Sequence, residues 1–161
     1  MRWFTNASYH SCPTVNGIDQ AAGKYYSRDE DVSIEDRRIS MDIGTAYPKE
    51  AGIVSLVRTS QLTDGKITVT DDVKLDGKGE IAFHFTLRYE PRLDAEGVID
   101  IGEGVKLSYD KALTLDIEKV ENKCLPYDDL NMKSVWGVDN LWRAKFTVSA
   151  KDFKAKFEFF A

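Results

Sequence analysis

Apolar and polar residues alternate with a period of two through most of the chain, as they do in β-strands that bury one face. The clearest example runs from Ile81 to Tyr89, where Phe83, Phe85 and Leu87 share one face with the two end residues. This alternation predicts a strand whose apolar face lies in a core and whose polar face points away from it.

Similar segments follow one another along the rest of the sequence. Strands are predicted around Val32 to Ile43 and at Ile53–Leu62, Lys66–Leu75, Val98–Ile101, Val105–Tyr109, Ala112–Val120, Leu141–Val148 and Phe153–Phe160. About ten strands without a segment of helical periodicity predict an all-β fold, an antiparallel β-sandwich.

Turn residues separate several of these segments. Asn16-Gly17 lies between apolar residues, and Thr63-Asp64-Gly65 joins two strands, so both sites predict β-hairpins. A further turn is predicted at Asp76-Gly77-Lys78-Gly79. The segments Leu141–Val148 and Phe153–Phe160 are predicted to form a closing hairpin.

One charged residue interrupts an otherwise apolar strand face. Val69, Val73 and Leu75 share that face, and Asp71 lies on it between them. A β-bulge near Asp71-Asp72 would relieve the conflict, because an extra residue moves the following side chains to the other face.

Length and composition fit one soluble domain. We assign it to residues 1–161, with residues 1–31 as an irregular N-terminal segment that holds at most a short strand at 24–26. An apolar content of 42% and a charged content of 30% are typical of globular proteins. The formal net charge of −5 disfavours nucleic acids and anionic membranes as partners. No apolar run approaches the roughly 20 residues of a membrane helix, and the start of the chain does not resemble a secretory signal.

The two histidines are too few for a self-contained metal site rich in histidine. His84 lies on a polar strand face between Ala82 and Thr86, which favours an exposed or cross-strand-paired side chain. His10 lies in an irregular segment just before a predicted strand, and loops held by a rigid scaffold often carry ligands and catalytic groups. His10 is therefore the candidate functional residue.

Cysteine and tryptophan add weaker candidates. Cys12 and Cys124 permit one disulfide, although two buried thiols are the favoured interpretation. Trp136 and Trp142 flank a loop and could stack on a sugar ring, but core packing is favoured for both.

Most catalytic motifs are absent from the sequence. Gly102-Glu103-Gly104 follows a strand and opens no helix, so it is not a phosphate loop. The acidic pairs Glu30-Asp31, Asp71-Asp72 and Asp128-Asp129 lack the spacing of a calcium loop and are interpreted as solvated turn charges. We therefore assign no catalytic residue to the chain.

The N-terminal segment resembles part of a known protein family. The matching residues are Arg2-Trp3-Phe4, then Ser8-Tyr9-His10-Ser11-Cys12-Pro13-Thr14-Val15-Asn16-Gly17-Ile18-Asp19-Gln20, and Gly23. A second block comprises Asp42-Ile43 and Ala46-Tyr47-Pro48-Lys49-Glu50-Ala51-Gly52-Ile53, and weaker matches follow at Val57-Arg58-Thr59, Asp64-Gly65-Lys66, Trp136-Gly137 and Leu141-Trp142-Arg143. Together these stretches resemble the C-terminal part of the heparinase II/III-like polysaccharide lyases.

The resemblance implies an intact protein made of an α/α helical toroid followed by this β-sandwich. Such lyases cleave uronic-acid-containing polysaccharides by β-elimination, with catalytic residues mostly in the helical domain. The sandwich would line the substrate cleft and hold zinc, or another divalent metal, with two histidines and an aspartate. His10 matches the last of these ligands, while the other two are expected upstream of Met1.

One departure from the family pattern lies beside this histidine. The family often has Asn where this chain has Ser11, so the hydrogen bonds that orient His10 are expected to differ. Because one histidine cannot form a three- or four-ligand site, the isolated chain is predicted to be inactive.

The resemblance also implies partners and a location. An anionic polysaccharide, including glycosaminoglycans, would be the substrate of the intact protein, and the helical domain would be the main protein partner. The separated sandwich would expose an apolar patch and could form a homodimer. The family suggests a periplasmic or extracellular location, and a cytoplasmic one stays open. A stand-alone carbohydrate-binding or oligomerisation module is the alternative hypothesis.

Overall fold

A computed structural model describes residues 6–23, 26–121, 133 and 136–161 of the chain. The strands within these residues are β1 Thr14–Val15, β2 Arg28–Ser33, β3 Arg38–Asp42, β4 Ile53–Thr63, β5 Lys66–Leu87, β6 Arg92–Ala95, β7 Val98–Gly102, β8 Val105–Tyr109, β9 Thr114–Glu121 and β10 Asn140–Phe160. Short 3-10 turns lie at Ala7–Tyr9, Gly44–Ala46 and Lys49–Ala51. No helix in this part of the chain is long and apolar enough to cross a membrane.

Two long strands, β5 and β10, form the centre of the fold and pair antiparallel along most of their lengths. The sheet order is β2-β3-β4-β5-β10-β8-β7-β6, and β1 and β9 add to the free edges of β5 and β10. The first part of β5 therefore pairs with β4, whereas its last part pairs with β1.

The pair of long strands bends where its register shifts. Ala150 pairs with Gly79, but Asp152 pairs with Lys74, so Lys151 alone stands opposite four residues of β5. Phe146 and Phe157 lie on either side of this bend, and their ring centroids are 5.1 Å apart. A straight strand would separate these positions by more than roughly 30 Å. The continuous sheet thus folds over itself into the two layers of the predicted antiparallel β-sandwich.

Aromatic rings from both layers fill the core between them. Phe83, Phe146 and Phe157 are fully buried. Phe157 contacts Phe83 with a centroid distance of 5.6 Å and Phe85 with a distance of 4.8 Å. The alternation over Ile81–Leu87 is thus confirmed as the core-facing pattern of the second half of β5.

The hairpin turns predicted at Asn16-Gly17 and Asp64-Gly65 are both present. Asn16 and Gly17 have φ values of 53° and 73°, and Asp64 and Gly65 have 49° and 76°. Positive φ at both central residues is typical of the two-residue turn that matches the twist of β-hairpins. The Asp64-Gly65 turn connects β4 directly to β5.

Two other turn predictions are wrong. Residues 76–79 lie within β5, and Leu141–Val148 and Phe153–Phe160 are parts of β10. No residue of 150–152 has a positive φ, and Gly77 and Gly79 do not either. The chain bends at these positions without reversing, because both halves of β10 stay paired with β5. Of the short strand predicted at 24–26, Lys24 and Tyr25 lie outside the described residues.

Candidate functional site

His10 lies on the surface at the end of the 3-10 turn Ala7–Tyr9. Its amide donates a hydrogen bond of 2.8 Å to the carbonyl oxygen of Ala7, and the Cys12 amide donates one of 3.2 Å to the same oxygen. At the other side of the turn, the Asp19 carboxylate accepts hydrogen bonds from the Ser8 amide at 2.8 Å and from the Ser8 hydroxyl at 3.2 Å. The candidate histidine is thus carried by a turn with local hydrogen bonds on both sides.

Side chains from β4, from β5 and from the connection between β3 and β4 hold alternate carbonyl groups of the residues around His10. The Thr86 hydroxyl donates to the Tyr9 carbonyl oxygen at 2.8 Å. Arg58 Nη1 donates to the Ser11 carbonyl oxygen at 2.6 Å, and the Tyr47 hydroxyl donates to that of Pro13, also at 2.6 Å. We call residues 9–13 the clamped segment, since β4, β5 and the connection between β3 and β4 each fix its backbone with one side chain.

The hairpin that follows anchors the segment further. β1 pairs with β5, and the Asn16 amide donates to the Glu80 carbonyl oxygen at 2.8 Å. The Asn16 side chain accepts a hydrogen bond from the Glu80 amide at 3.1 Å and donates one to the Ala51 carbonyl oxygen at 3.2 Å. Gly79 permits this contact, because a Cβ there would lie 2.5 Å from the Asn16 side-chain oxygen.

A buried ion pair lies directly beneath the clamped segment. Arg58 Nε and Nη2 each donate to one oxygen of the Asp71 carboxylate, both at 2.7 Å. Asp71 is completely buried, and the Arg58 side chain is 17% exposed. Burial alone would lower the pKa of Arg58, but the Asp71 carboxylate outweighs it and raises that pKa, so the guanidinium stays charged.

This ion pair corrects two expectations for Asp71. The register of β4 and β5 runs without a shift through Arg58 and Asp71, so the bulge predicted at Asp71-Asp72 is absent. Asp71 is also not a solvated turn charge, because it faces the core. A cross-strand arginine neutralises it there. The two-residue turn at Asp64-Gly65 fixes the register that brings these residues opposite each other, so the pair could have been found from the sequence.

Ser11 adopts a left-handed backbone conformation with φ of 58°. Asn and Asp visit this region more readily than Ser, and an L-residue pays a steric cost there. The Ser11 hydroxyl accepts a hydrogen bond of 3.3 Å from the Thr86 amide, so the sheet also holds the strained residue through its side chain.

Neither Cys12 nor Tyr47 is suited to act as a base in this position. Burial raises the pKa of the half-buried Cys12 thiol, which is free of a disulfide and lies 3.7 Å from the His10 carbonyl oxygen. Burial likewise raises the pKa of Tyr47, whose hydroxyl is already committed to Pro13. Cys124 lies outside the described residues.

His84 is buried, only 3% exposed, and so is not a surface histidine. Its Nε2 shares a hydrogen bond of 3.0 Å with the Thr14 hydroxyl of β1, and Lys145 lies opposite on β10. Burial, together with the positive charges of Arg143 and Lys145, lowers its pKa to about 3. His84 is therefore neutral near pH 7, and it fastens β1 to the sheet.

The remaining candidates separate into packed and exposed groups. Trp142 packs against the core, whereas Trp136 is 53% exposed. Asp72 lies 3.9 Å from Lys154, and Asp31 pairs with Arg38 at 2.5 Å, while Asp128-Asp129 lie outside the described residues.

No group of three His, Cys, Asp or Glu side chains that could hold a metal occurs within residues 6–23, 26–121, 133 and 136–161. His10 can therefore supply one ligand, and the described residues do not complete a metal site around it.

Comparisons with solved structures identify similar folds. A heparan sulfate lyase from Pedobacter heparinus, HepC, aligns with a TM-score of 0.65 and 12% sequence identity over 98% of this chain and 25% of its own. The heparinase III that is the BT4657 gene product aligns with a TM-score of 0.70 and 12% identity over 98% of this chain and 24% of its own. This chain thus spans about a quarter of the length of these proteins and has a fold found within them. Neither known protein families nor curated proteins gave a match.

Proposed function

We propose that this chain is the C-terminal β-sandwich of a polysaccharide lyase that cleaves uronic-acid-containing glycans by β-elimination. The observation that carries the proposal is the fold similarity to heparan sulfate lyases over 98% of this chain. The chain corresponds to only a quarter of those proteins, so the reaction would belong to the longer protein. The sandwich would line one side of the substrate cleft.

Within this proposal His10 supplies one metal ligand. Its support is its exposed position on a segment that the side chains of Tyr47, Arg58 and Thr86 hold in place. A neutral imidazole is a good ligand for zinc, which takes three or four protein ligands. The other ligands would come from outside the described residues.

Tyr47 and His84 are both unsuited to abstract a proton next to a uronate carboxylate. The hydroxyl of Tyr47 is turned toward the Pro13 carbonyl, and the imidazole of His84 is buried against Thr14. A catalytic base must come within hydrogen-bond reach of the proton that it removes. We therefore expect the isolated chain to be inactive on uronate-containing glycans.

The test uses a longer protein that includes the helical domain, with and without His10→Ala. Metal content and formation of the unsaturated uronate product are measured in both. Stoichiometric metal and activity that both fall in His10→Ala support the proposal, whereas unchanged metal and activity refute the ligand assignment. His84→Asn is the matched control, because it removes the buried histidine and should leave metal content unchanged.

An alternative function is carbohydrate binding by the isolated chain. The exposed Trp136 favours it, since an accessible indole can stack on a sugar ring. Titration of uronate-containing oligosaccharides into the isolated chain tests this alternative. Saturable binding that Trp136→Ala abolishes, and that Ala at the exposed Tyr26 leaves intact, would favour the module over the lyase.

A further inference from the structure

Arg58 connects the ion pair in the core to the clamped segment. Its guanidinium uses Nε and Nη2 for Asp71 and Nη1 for the Ser11 carbonyl oxygen, so three donors of one planar group have fixed partners. Arg58 and Asp71 lie opposite each other on β4 and β5. Ser11 lies next to His10 in the chain and far from both strands in sequence.

The location of this ion pair is unfavourable for stability alone. The two charges lose hydration beneath the clamped segment, where Asp71 is completely buried and Arg58 mostly so. A well-packed apolar pair of similar volume is often equally stable or more so. Arginine also differs from lysine here, because only its planar fork can bind a carboxylate with two donors and still direct a third to another group. The ion pair is therefore better explained by the orientation that it gives the Arg58 guanidinium than by a contribution to stability.

The backbone of Ser11 supplies an independent observation. Its φ of 58° is costly for serine, and such conformations persist where surrounding contacts hold them. Arg58 binds the carbonyl of this residue, and the Thr86 amide binds its hydroxyl. The strained residue Ser11 thus lies next to the candidate ligand His10, and two contacts from the sheet maintain its conformation.

We propose that Arg58 is a positioning residue for His10, and that Asp71 orients its guanidinium. The β4-β5 hairpin holds the backbone of Ser11 through this contact. It thereby restrains the backbone of the neighbouring His10 and sets the orientation of the His10 side chain. The metal-related part of this inference rests on the proposed ligand role of His10. The restraint of the segment itself does not depend on that role.

The first experiment measures amide hydrogen exchange on the isolated chain. The double variant Arg58→Met/Asp71→Leu fills the same space with apolar side chains and avoids an unpaired buried carboxylate. Exchange of the His10 and Cys12 amides, which both bond to the Ala7 carbonyl, is expected to accelerate at least 10-fold, while the core amide of Phe83 stays within 3-fold of its original rate. Unchanged exchange at both His10 and Cys12 would overturn the proposal.

Two further variants separate the causes. Arg58→Lys keeps a positive charge next to Asp71 but cannot maintain all three contacts, so the same amides should again exchange faster. Arg38→Met/Asp31→Leu removes an ion pair between β2 and β3 and should leave them unchanged. Equal acceleration in this control would mean that the effect is general loosening, and it would also overturn the proposal.

The second experiment uses the longer protein and measures its affinity for cobalt(II). At least a 10-fold loss in Arg58→Met/Asp71→Leu, with the midpoint of urea unfolding retained, is the expected result. Faster exchange with unchanged cobalt affinity would refute the positioning role. If His10→Ala itself leaves metal binding unchanged, the proposed function fails, while the exchange result still decides whether Arg58 restrains the segment.

Discussion

At the scale of single residues, the two histidines occupy opposite environments. His10 is exposed on a turn, whereas His84 is buried and neutral, with its pKa lowered to about 3. The sequence predicted the polar face on which His84 lies but not its burial. β1 pairs along the edge of β5 and brings the Thr14 hydroxyl to His84, but a two-residue strand leaves almost no periodic signal.

The low pKa of His84 makes stability depend on pH. As pH falls below about 6.5, the unfolded chain binds a proton at this residue and the folded chain does not, so folding weakens toward pH 3. We expect this residue to contribute a loss of about 1 kcal/mol per pH unit between pH 6 and pH 4. Urea unfolding of the original protein and of His84→Gln at pH 7, 6, 5 and 4 measures this loss of unfolding free energy. Parallel pH dependences in the two proteins would contradict the prediction.

The left-handed conformation of Ser11 predicts an unusual order of substitution effects. Ser11→Asn and Ser11→Val both change the hydroxyl that accepts from Thr86, but only Val is β-branched and strongly disfavoured at positive φ. The free energy of unfolding of the Ser11→Val variant is expected to be lower than that of Ser11→Asn by about 1–3 kcal/mol. Thermal unfolding of the two variants checks this order, and equal stabilities would show that the conformation relaxes easily.

At the scale of elements, hairpin turns were more predictable than long strands. Asp64-Gly65 and Asn16-Gly17 carry their conformation locally, so their sequences are sufficient. β10 was predicted as the two strands of a closing hairpin, whereas it is one strand whose core-facing positions change from even numbers, such as Phe146, to odd numbers, such as Phe157. That change results from the register shift at Lys151, which depends on the partner strand and is invisible in a single segment.

Gly79 and Gly77 form a matched pair for testing how β1 is attached to β5. A Cβ at Gly79 would lie 2.5 Å from the Asn16 side-chain oxygen, whereas one at Gly77 meets no atom within 4 Å. Gly79→Ala is expected to destabilise the protein by about 1–3 kcal/mol, as overpacking does, and Gly77→Ala by much less. Urea unfolding of both variants measures the difference. A larger loss at Gly77 would refute the proposed contact.

At the scale of the whole molecule, the sandwich class could be predicted from alternation alone, but the candidate site only in part. His10 was identified from its segment and from a family resemblance. The clamped segment around it is held by Arg58, Tyr47 and Thr86, which are distant from the segment in sequence. Their hydrogen bonds depend on how the layers close, so strand periodicity could not reveal them.

Because the two layers share β5 and β10, they are expected to unfold together. Phe157 contributes to one layer but contacts rings of both, including Phe83 and Phe146. Phe157→Ala should therefore cost about 3–5 kcal/mol. It should accelerate hydrogen exchange equally at the slowest amides of both layers. Slow amides that remain protected in only one layer would contradict this coupling.

The register shift at Lys151 also determines which insertions the fold can accept during evolution. One extra residue between Ala150 and Asp152 would turn the core side chains of half of β10 toward the outside, unless the bend absorbed it. Two extra residues would restore their direction, because strand side chains alternate with a period of two. Relatives of this protein should therefore vary in length at this bend in steps of two residues more often than in steps of one.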